Sequence, residues 1–592
     1  MQTTRTIITA AAVLSLGALP FVAAHGGGHE QIEQEEGSAA NTEPPQDVTP
    51  TYFRHAEHAG WMYAHLALMI VGWVVVLPPA LMLSIARSRF HLPAQLLFHA
   101  VNALGLFAGF VYNHSTPDLY VTNSHHPVGW VVTAFTIVWT LLSLATACAA
   151  KIQRRNIDVA PKKFDRHIPE DGNIQQYLDS PSSYRFSNDS GNFSAGSRAN
   201  SSDSIFAKPS PLPSRDEHES GDWDRNGDTE KSGFLGYGKS DTMIVRIIRR
   251  VSSQRASRFV RFSQVFLEKT LLLLGFLAIT SGFVVYGGLF QKREIFSGLA
   301  HFVKGGIFFW YGVLTLGRWM GAFADFGWAW NVRPGHPLVS RWKSRIPSAE
   351  FTESFVIWLY GASNVFLEHM NNWGGEWSPQ DFEHVSITIL FFGGGLFGMM
   401  IESRAWREPT SAPTWLQKEK ERDEDNTSGF KDVSGPMLHP DQRWQRPSTY
   451  DFSLNPMPAL TIMFLGMMMS GHHQNSMVST MMHAQWGMLF TGFACSRAVT
   501  YLMLYIKPPT SHYPSRPPSE LVAAFCLTAG GILFMNSAHD SVAAIEQNGL
   551  DAMTIFTLTI GLTGVLLAWE LVCFTIKGWA TRKEQSSAPD DG

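Results

Sequence analysis

Long apolar stretches divide this sequence, and they limit what the chain can fold into more than any other feature. Eleven of them follow the N-terminal region, each of roughly 16 to 28 residues, and most are long enough for a helix to cross a bilayer. They lie at about residues 60–86, 92–112, 127–150, 267–289, 297–317, 351–370, 383–402, 456–471, 479–506, 519–536 and 553–576. The sequence therefore excludes a soluble enzyme and predicts an all-α polytopic membrane protein with about 11 transmembrane helices.

The first 24 residues are typical of a cleaved secretory signal. Arg5 precedes an apolar run, and the small residues Ala23 and Ala24 precede a segment rich in Gly, His and Glu. We expect a signal peptide over 1–24, a lumenal His/Glu-rich tail over 25–59, three spans over 60–150, a disordered cytosolic loop over 151–266, eight spans over 267–579 and a cytosolic tail over 580–592.

The distribution of Lys and Arg predicts the orientation of the chain. If the mature N-terminus is lumenal, the lumenal segments contain only Arg54, Lys292 and Arg293, whereas nearly all other basic residues are cytosolic. Because cytosolic loops carry the excess of Lys and Arg, this threading is favoured. We expect an integral membrane protein of the secretory pathway or plasma membrane, with a lumenal or extracellular N-terminus and a cytosolic C-terminus.

The partners expected from composition are membrane lipids. The loop over 151–266 is rich in Ser, Asn, Gly, Asp and Pro, a composition typical of disorder. Its last part, near 245–266, interleaves six arginines with apolar residues, which fits an interfacial helix on anionic lipid. Ordinary flanking charge at the next span is the alternative. A formal net charge of −4 gives no basic excess that would indicate a nucleic-acid partner.

Three histidines in or beside the first three apolar segments are the candidate haem ligands: His65 in the first, His99 in the second and His126 just before the third. An imidazole in hydrocarbon needs a partner, and axial ligation of haem iron by two histidines on facing helices is one such use. His65 and His126 both lie toward the lumenal side, so these two could share one haem b. Interhelical hydrogen bonds are the alternative.

At these histidines the sequence resembles the cytochrome b-561 family, over about 90 residues. The resemblance implies a four-helix core with paired histidines as haem ligands. His99 would then need a partner in the fourth span, which contains no histidine. At most the site on the lumenal side is therefore complete.

A second group of ionisable residues lies at one face of the C-terminal spans. Because odd and even spans run in opposite directions, span starts and ends alternate between the two sides. The following residues all fall on the lumenal side: His301, Glu368, His369, His384, His472, His473, His483 and His539. Lys304, one turn from His301, extends this group inward.

Imidazole nitrogen and carboxylate oxygen suit Zn or Cu, so these eight residues are the candidate metal ligands. A proton relay and a structural layer of hydrogen bonds are alternatives, because no spacing within the group is as specific as a His-Glu-x-x-His helix. On the cytosolic side we expect Arg497 and Glu570 to form an ion pair, since each charge would be costly alone.

Two stretches of the C-terminal block, residues 299–312 and 466–480, closely resemble a fungal family of multi-spanning membrane proteins named after a yeast putative transmembrane protein. The family joins this block to the cytochrome b-561-like N-terminal domain. The resemblance covers all the predicted spans and implies a fungal membrane protein of the secretory pathway or cell surface. It implies no particular reaction.

The cytosolic segments contain no nucleotide-binding or kinase motif, which argues against an ATP-driven pump. Several functions fit the His/Glu cluster: a metal-binding or redox-linked protein, a metal or proton transporter, a membrane-embedded metallohydrolase, and a structural membrane protein without catalysis. The absent fourth haem ligand argues against an electron carrier. The transporter would need polar residues that continue to the cytosolic side, and the sequence gives no continuous chain of them.

Overall fold

The computed structural model describes residues 51–121, 123–159, 254–291, 294–364, 379–403, 452–471 and 476–587, together with residues 377 and 474. These residues form helices and no strand, as the sequence predicts. The predicted signal peptide, most of the N-terminal tail, and the loops over 160–253 and 404–451 lie outside the described residues.

Twelve helices follow one another along the described chain. They are α1 (Ala59–Ile85), α2 (His91–Ser115), α3 (His125–Val159), α4 (Gln254–Gly287), α5 (Ile295–Trp319), α6 (Ala349–Asn364), α7 (Pro379–Glu402), α8 (Met457–Ser470), α9 (Met477–Ile506), α10 (Ser519–Asn536), α11 (His539–Gln547) and α12 (Ala552–Ser586). Within the described residues, nine of these helices are long and apolar enough to cross a membrane. The two other predicted spans coincide with α6 and α8, which have 16 and 14 described residues. The nine-residue helix α11 was not predicted.

Contacts between Cα atoms separate the chain into two units. Within the described residues, the larger one contains residues 51–144 and 261–587, apart from the gaps given above. In the described part of the chain, the smaller one consists of residues 145–159 and 254–260, which are helical extensions of α3 and α4.

Helices α1 to α4 enclose an apolar core that includes Trp73, Leu77, Phe98, Trp139 and Leu271. Polar side chains on all four helices are joined by hydrogen bonds at one level of this core. They are Ser84, Gln95, Ser143, Gln264 and Glu268. Because an unsatisfied polar group is costly in hydrocarbon, this network fixes how the four helices pack.

Pro78 of α1 leaves a backbone carbonyl without its usual donor, and a residue of α12 supplies the replacement. A proline has no N–H, so the carbonyl of Val74 loses its usual donor four residues later. The indole of Trp569 on α12 replaces that donor, since its Nε1 donates to Val74 O at 2.8 Å. The turn before Pro78 is widened into a π-helix over Val71–Val76, which is how a helix accommodates such a break.

The remaining helices form a second core around Phe308, Trp486, Phe490, Leu527 and Phe534. Glycines bring some of these helices into direct backbone contact. A Cβ atom built on Gly305 of α5 would lie 2.6 Å from the carbonyl oxygen of Gly531 on α10, so no larger residue fits there. Close approach at small residues is a common way for helices to associate in membranes.

Candidate functional site

A cavity of about 540 Å³ lies inside the C-terminal bundle and is the candidate site. Six helices line it, namely α5, α6, α7, α8, α9 and α10. We call the end that carries His301, His384 and His483 the outer end, and the end that carries Glu353 the inner end. The volume falls within the range of about 300 to 1,000 Å³ that is usual for small-molecule sites.

Three imidazoles and one amine surround the outer end. His301 and Lys304 come from α5, His384 from α7 and His483 from α9. The Nδ1 atoms of His301 and His483 each lie 2.8 Å from a backbone carbonyl one turn earlier, on Ser297 and Ser479. Since a carbonyl can only accept, Nδ1 carries the proton in both rings. Nε2 of the neutral His301 ring can then accept a proton or bind a ligand.

A network of five charged side chains closes the inner end. Glu353 of α6 bridges two arginines: its Oε1 lies 2.6 Å from Arg318 Nη1, and its Oε2 lies 3.3 Å from Arg497 Nη1. Arg318 also contacts Glu350 at 3.3 Å, and Arg497 contacts Glu520 at 2.8 Å. The network therefore joins α5, α6, α9 and α10. Arg318 and Arg497 are at most 1% exposed, so both guanidinium groups depend on these carboxylates.

The predicted ion pair between Arg497 and Glu570 was wrong. Arg497 contacts Glu353 and Glu520, while Glu570 lies on α12 with one buried carboxylate oxygen that has no hydrogen-bond partner among the described residues. Three carboxylates and two guanidinium groups make up the network. Full ionisation thus leaves one negative charge without a cation in the network, and one bound proton would neutralise it.

Two loops cover the network on the side away from the cavity. The indole of Trp330 lies 4.4 Å from the guanidinium carbon of Arg318, and Arg318 Nε donates to Trp328 O at 2.7 Å. The loop over 321–348 is in turn bound to the loop over 507–518, because Val332 N donates to Ser511 O at 2.9 Å. Nδ2 of Asn331 also donates across, to His512 O at 2.8 Å. The inner end is therefore sealed by bonded backbone segments.

Three polar atoms of residues beside the cavity are buried away from its open space and have no hydrogen-bond partner among the described residues. They are Nε1 of Trp310, Oη of Tyr311 and Nε1 of Trp486. An indole N–H can only donate, and a phenol can donate or accept. Most other side chains of the wall are apolar or aromatic. The site therefore combines a mostly apolar lining with a few ionisable side chains, as ligand sites commonly do.

The four described residues among the eight predicted metal ligands do not form one cluster. Three of them, His301, His384 and His483, line the cavity. They do not form a set of three ligand atoms within 4.8 Å of one another among the described residues. Four others lie outside the described residues, namely Glu368, His369, His472 and His473.

The eighth residue, His539, does not line the cavity. It begins α11 at the protein surface, where its Nδ1 lies 3.9 Å from Glu294 and 3.8 Å from Asp540. In the described part of the chain this is the set of three ligand-type side chains close enough to share one metal ion. Its imidazole side chain is 66% exposed, and Asp540 also accepts from the backbone N–H of Phe290 at 3.0 Å.

In the N-terminal helices, the structure places His125 rather than His126 beside His65. The ring centres of His65 and His125 are 6.5 Å apart, at an angle of 77°. His126 is exposed, and its Nε2 accepts from the indole N–H of Trp130 at 3.3 Å. Successive residues of a helix point about 100° apart, so only one of two adjacent histidines on α3 can face the core.

The two histidines that face the core, His65 and His125, are each oriented by a hydrogen bond at Nδ1. Nδ1 of His65 lies 2.8 Å from Gly105 O, and Nδ1 of His125 lies 3.0 Å from the hydroxyl of Ser281 on α4. His99 instead makes an interhelical bond, with its Nε2 at 2.8 Å from Thr140 Oγ1. This bond is the alternative that the sequence left open for His99.

Sequence reasoning missed the acidic half of the inner network. Glu350 and Glu520 lie in the first turns of α6 and α10, Glu353 lies three residues after Glu350, and Arg318 lies in the last turn of α5. In the sequence such positions resemble ordinary charged flanks of spans. One signal in the sequence could have indicated the network: acidic or basic residues flank three apolar segments, 297–317, 351–370 and 519–536, at their predicted cytosolic ends.

Two family models match different parts of the chain. The family described as "Protein YTP1-like, C-terminal" matches residues 274–578, and the "Domain of unknown function (DUF2427)" matches residues 46–149. The chain belongs to the YTP1-like family. This confirms the resemblance to a fungal family that the sequence indicates. No solved structure matches the chain.

Two fungal relatives are similar over nearly the whole chain. "Uncharacterized membrane protein C3B8.06" of Schizosaccharomyces pombe is 30% identical over 93% of this chain and 100% of its own length. "Uncharacterized membrane protein YCR061W" of Saccharomyces cerevisiae is 30% identical over 91% of this chain and 86% of its own length. "Protein YTP1" of the same yeast is 23% identical over 38% of each chain. With its apolar helices, the chain is an integral membrane protein.

Proposed function

We propose that the C-terminal bundle is a transporter domain that moves protons through the cavity. The observation that carries this proposal is that outer imidazoles and inner Glu353 line one and the same cavity. Chains of His and acidic residues inside a membrane are typical of proton relays. In the sequence, the lack of a continuous chain of polar residues to the cytosolic side argued against a transporter. The charged residues at the inner ends of α5, α6, α9 and α10 extend the polar residues in that direction.

The chemistry of the two ends supports proton transfer in different ways. At the outer end, Nε2 of neutral His301 accepts a proton, because Nδ1 already donates to a carbonyl. At the inner end, the carboxylate in excess over the two guanidinium groups accepts one. Tyr311 lies on the wall of the same cavity and carries a hydroxyl that can both donate and accept.

The proposal assigns the outer end to the lumen, on the basis of the distribution of Lys and Arg. The sealed inner end then faces the cytosol. In that arrangement the two bonded loops, 321–348 and 507–518, must separate for a proton to leave the network.

Proton movement into lipid vesicles that contain the purified protein tests this function. A potassium diffusion potential, negative inside, should acidify the lumen of such vesicles, as read from a trapped pH-sensitive dye. Protein-free vesicles and vesicles with heat-inactivated protein give the background. Acidification no faster than this background would contradict the proposal.

A second candidate function, haem binding by the N-terminal helices, is supported by the pair His65 and His125. A metal ion held about 2 Å from one nitrogen of each ring separates the ring centres by about 6 Å, close to the observed 6.5 Å. Both rings are oriented through Nδ1, as metal-binding imidazoles usually are. A b-type haem would supply reversible one-electron chemistry. His65 and His125 would hold it, and Gly105 O and Ser281 Oγ would orient them.

The absorbance spectrum of the purified protein tests haem binding. A Soret band should be present in the wild type and absent from His65→Ala and His125→Ala. It should survive in His126→Ala and His99→Ala, since neither ring faces His65. A colourless wild-type protein, expressed with adequate haem, would contradict this second function.

A further inference from the structure

We propose that Glu294, His539 and Asp540 form a binding site for one divalent transition-metal ion such as Zn²⁺. Of these three, the sequence predicted only His539 as a metal ligand, and it predicted different partners for that imidazole. Glu294 directly precedes α5, so the site lies on the same side of the protein as the outer end of the cavity. It is separate from the cavity and does not depend on proton transport.

The spacing of the three ligand atoms suits one metal ion. They all lie within 4.8 Å of one another, and Nδ1 of His539 is 3.9 Å from Glu294 Oε2 and 3.8 Å from Asp540 Oδ1. These distances are too long for hydrogen bonds, so the imidazole does not satisfy either carboxylate. Two ligands of one tetrahedral Zn²⁺ ion are about 3.3–3.6 Å apart. Small rotations of the side chains therefore bring all three atoms within reach of one ion.

The two oxygens of Asp540 have different surroundings. Oδ2 accepts a hydrogen bond from the backbone N–H of Phe290 at 3.0 Å, whereas Oδ1 faces His539. In metal sites, a hydrogen bond to a ligating carboxylate orients it toward the ion. Asp540 thus presents one oxygen to the site, and its other oxygen binds α11 to the segment between α4 and α5.

The backbone beside Glu294 is held in place by buried contacts. Phe290 is 7% exposed, and the centre of its ring lies 5.1 Å from that of Phe302 on α5. The hydroxyl of Tyr120 donates to Leu289 O at 2.7 Å. Because this segment is already fixed, binding of an ion needs only side-chain movement, which lowers its entropic cost.

The types of ligand favour a transition metal over Ca²⁺ or Mg²⁺. Ca²⁺ and Mg²⁺ prefer ligands that are all oxygen, whereas imidazole nitrogen suits Zn²⁺ and Cu²⁺. Two ionised carboxylates, from Glu294 and Asp540, balance the charge of one divalent ion. The imidazole side chain of His539 is 66% exposed, so water can occupy the remaining position of a tetrahedral ion.

Calorimetric titration with Zn²⁺ tests the site in the purified full-length protein, after metal is removed with a chelator. His539→Ala should bind one ion fewer than the wild type. His114→Ala is the matched control, because His114 is an exposed histidine at the end of α2, and it should behave as the wild type. Equal binding by the wild type and His539→Ala would overturn the proposal. An equal loss in His114→Ala would show adventitious surface binding only, with the same consequence.

Substitutions of the carboxylates test the other two ligands. Glu294→Gln and Asp540→Asn should each weaken Zn²⁺ binding by at least about tenfold. Asparagine keeps an oxygen that can accept from Phe290 N–H, so the local fold should persist. Glu546→Gln, at an exposed carboxylate of α11, is the control and should leave the affinity unchanged. Wild-type affinity in both Glu294→Gln and Asp540→Asn would leave a single histidine and refute the site.

The coordination of the bound ion gives a second, independent test. X-ray absorption at the zinc edge should show one imidazole, with oxygen ligands in the other positions at about 2.0–2.2 Å. A large excess of Ca²⁺ should not displace the ion. Sulfur ligands, two or more imidazoles, or ready displacement by Ca²⁺ would each contradict the proposed ligand set.

Hydrogen exchange tests whether the ion bridges two segments that are far apart in the sequence. A helix as short as α11 has little stability of its own, so an ion at its start should slow amide exchange over residues 539–547. Zn²⁺ should have this effect in the wild type and lose it in Glu294→Gln, although Glu294 is not part of α11. Equal slowing by Zn²⁺ in the two proteins would show that Glu294 is not a ligand and overturn the proposal.

Discussion

Arg318 and Glu353 form the ion pair on which the inner end of the cavity is built, with Nη1 and Oε1 only 2.6 Å apart. The same carboxylate contacts Arg497 at 3.3 Å, so one side chain of α6 holds α5 and α9 together. Because Glu353 also lines the cavity, a change in its charge would affect both the packing of the helices and what the cavity can bind.

Removing Arg497 should destabilise the bundle strongly. Arg497→Met leaves the fully buried Glu520 without its cation, and breaking a buried pair in this way costs about 3–5 kcal/mol. Glu570→Gln is the matched control, because Glu570 does not contact Arg497; it should leave stability unchanged or raise it. Thermal unfolding in detergent measures both. Equal losses in the two variants would favour the pair expected from the sequence.

Close contact between α5 and α10 should make Gly531 irreplaceable. A Cβ atom at this position would lie 2.4 Å from the backbone nitrogen of Phe309, so Gly531→Ala should cost about 1–3 kcal/mol through overpacking. Gly564→Ala is the control, since no atom lies within 4 Å of its Cβ position. There alanine should be neutral or stabilise α12 by about 0.5–1 kcal/mol. Similar thermal stability of the two variants would contradict the packing.

The indole of Trp569 should be needed to satisfy the carbonyl that Pro78 leaves without a donor. Trp569→Phe keeps the aromatic ring and removes only the donor to Val74 O, which should cost about 1–3 kcal/mol. Trp579→Phe, ten residues later on α12, should have little effect because this indole is exposed. Limited proteolysis and thermal unfolding would detect the difference. An unaffected Trp569→Phe variant would mean that water or lipid satisfies Val74.

The helices could be predicted from the sequence, because apolar length alone identifies a segment that crosses a bilayer. All eleven predicted segments contain a helix, although α6 and α8 are short within the described residues. The sequence could also assign His301, His384 and His483 to one end of the bundle, since alternation of direction is fixed by the number of spans.

The partners of those residues could not be predicted, because they depend on rotation and packing of helices that are distant in the sequence. Arg497 contacts Glu353, 144 residues away, rather than Glu570. His125 rather than its neighbour His126 faces His65, a difference of one position in helical register. The inner carboxylates lie near the starts of their helices, where sequence alone suggests only flanking charge.

Proton flux of Glu353→Gln, compared with that of Glu570→Gln, tests the central claim most directly. Glutamine keeps the shape of the side chain and leaves two carboxylates to balance two guanidinium groups, so the network should remain folded. In vesicles under a potassium diffusion potential, we expect wild-type protein and Glu570→Gln to acidify the interior at similar rates. Glu353→Gln should fall to the rate of protein-free vesicles. Wild-type flux in a folded Glu353→Gln variant would contradict a proton path through this cavity.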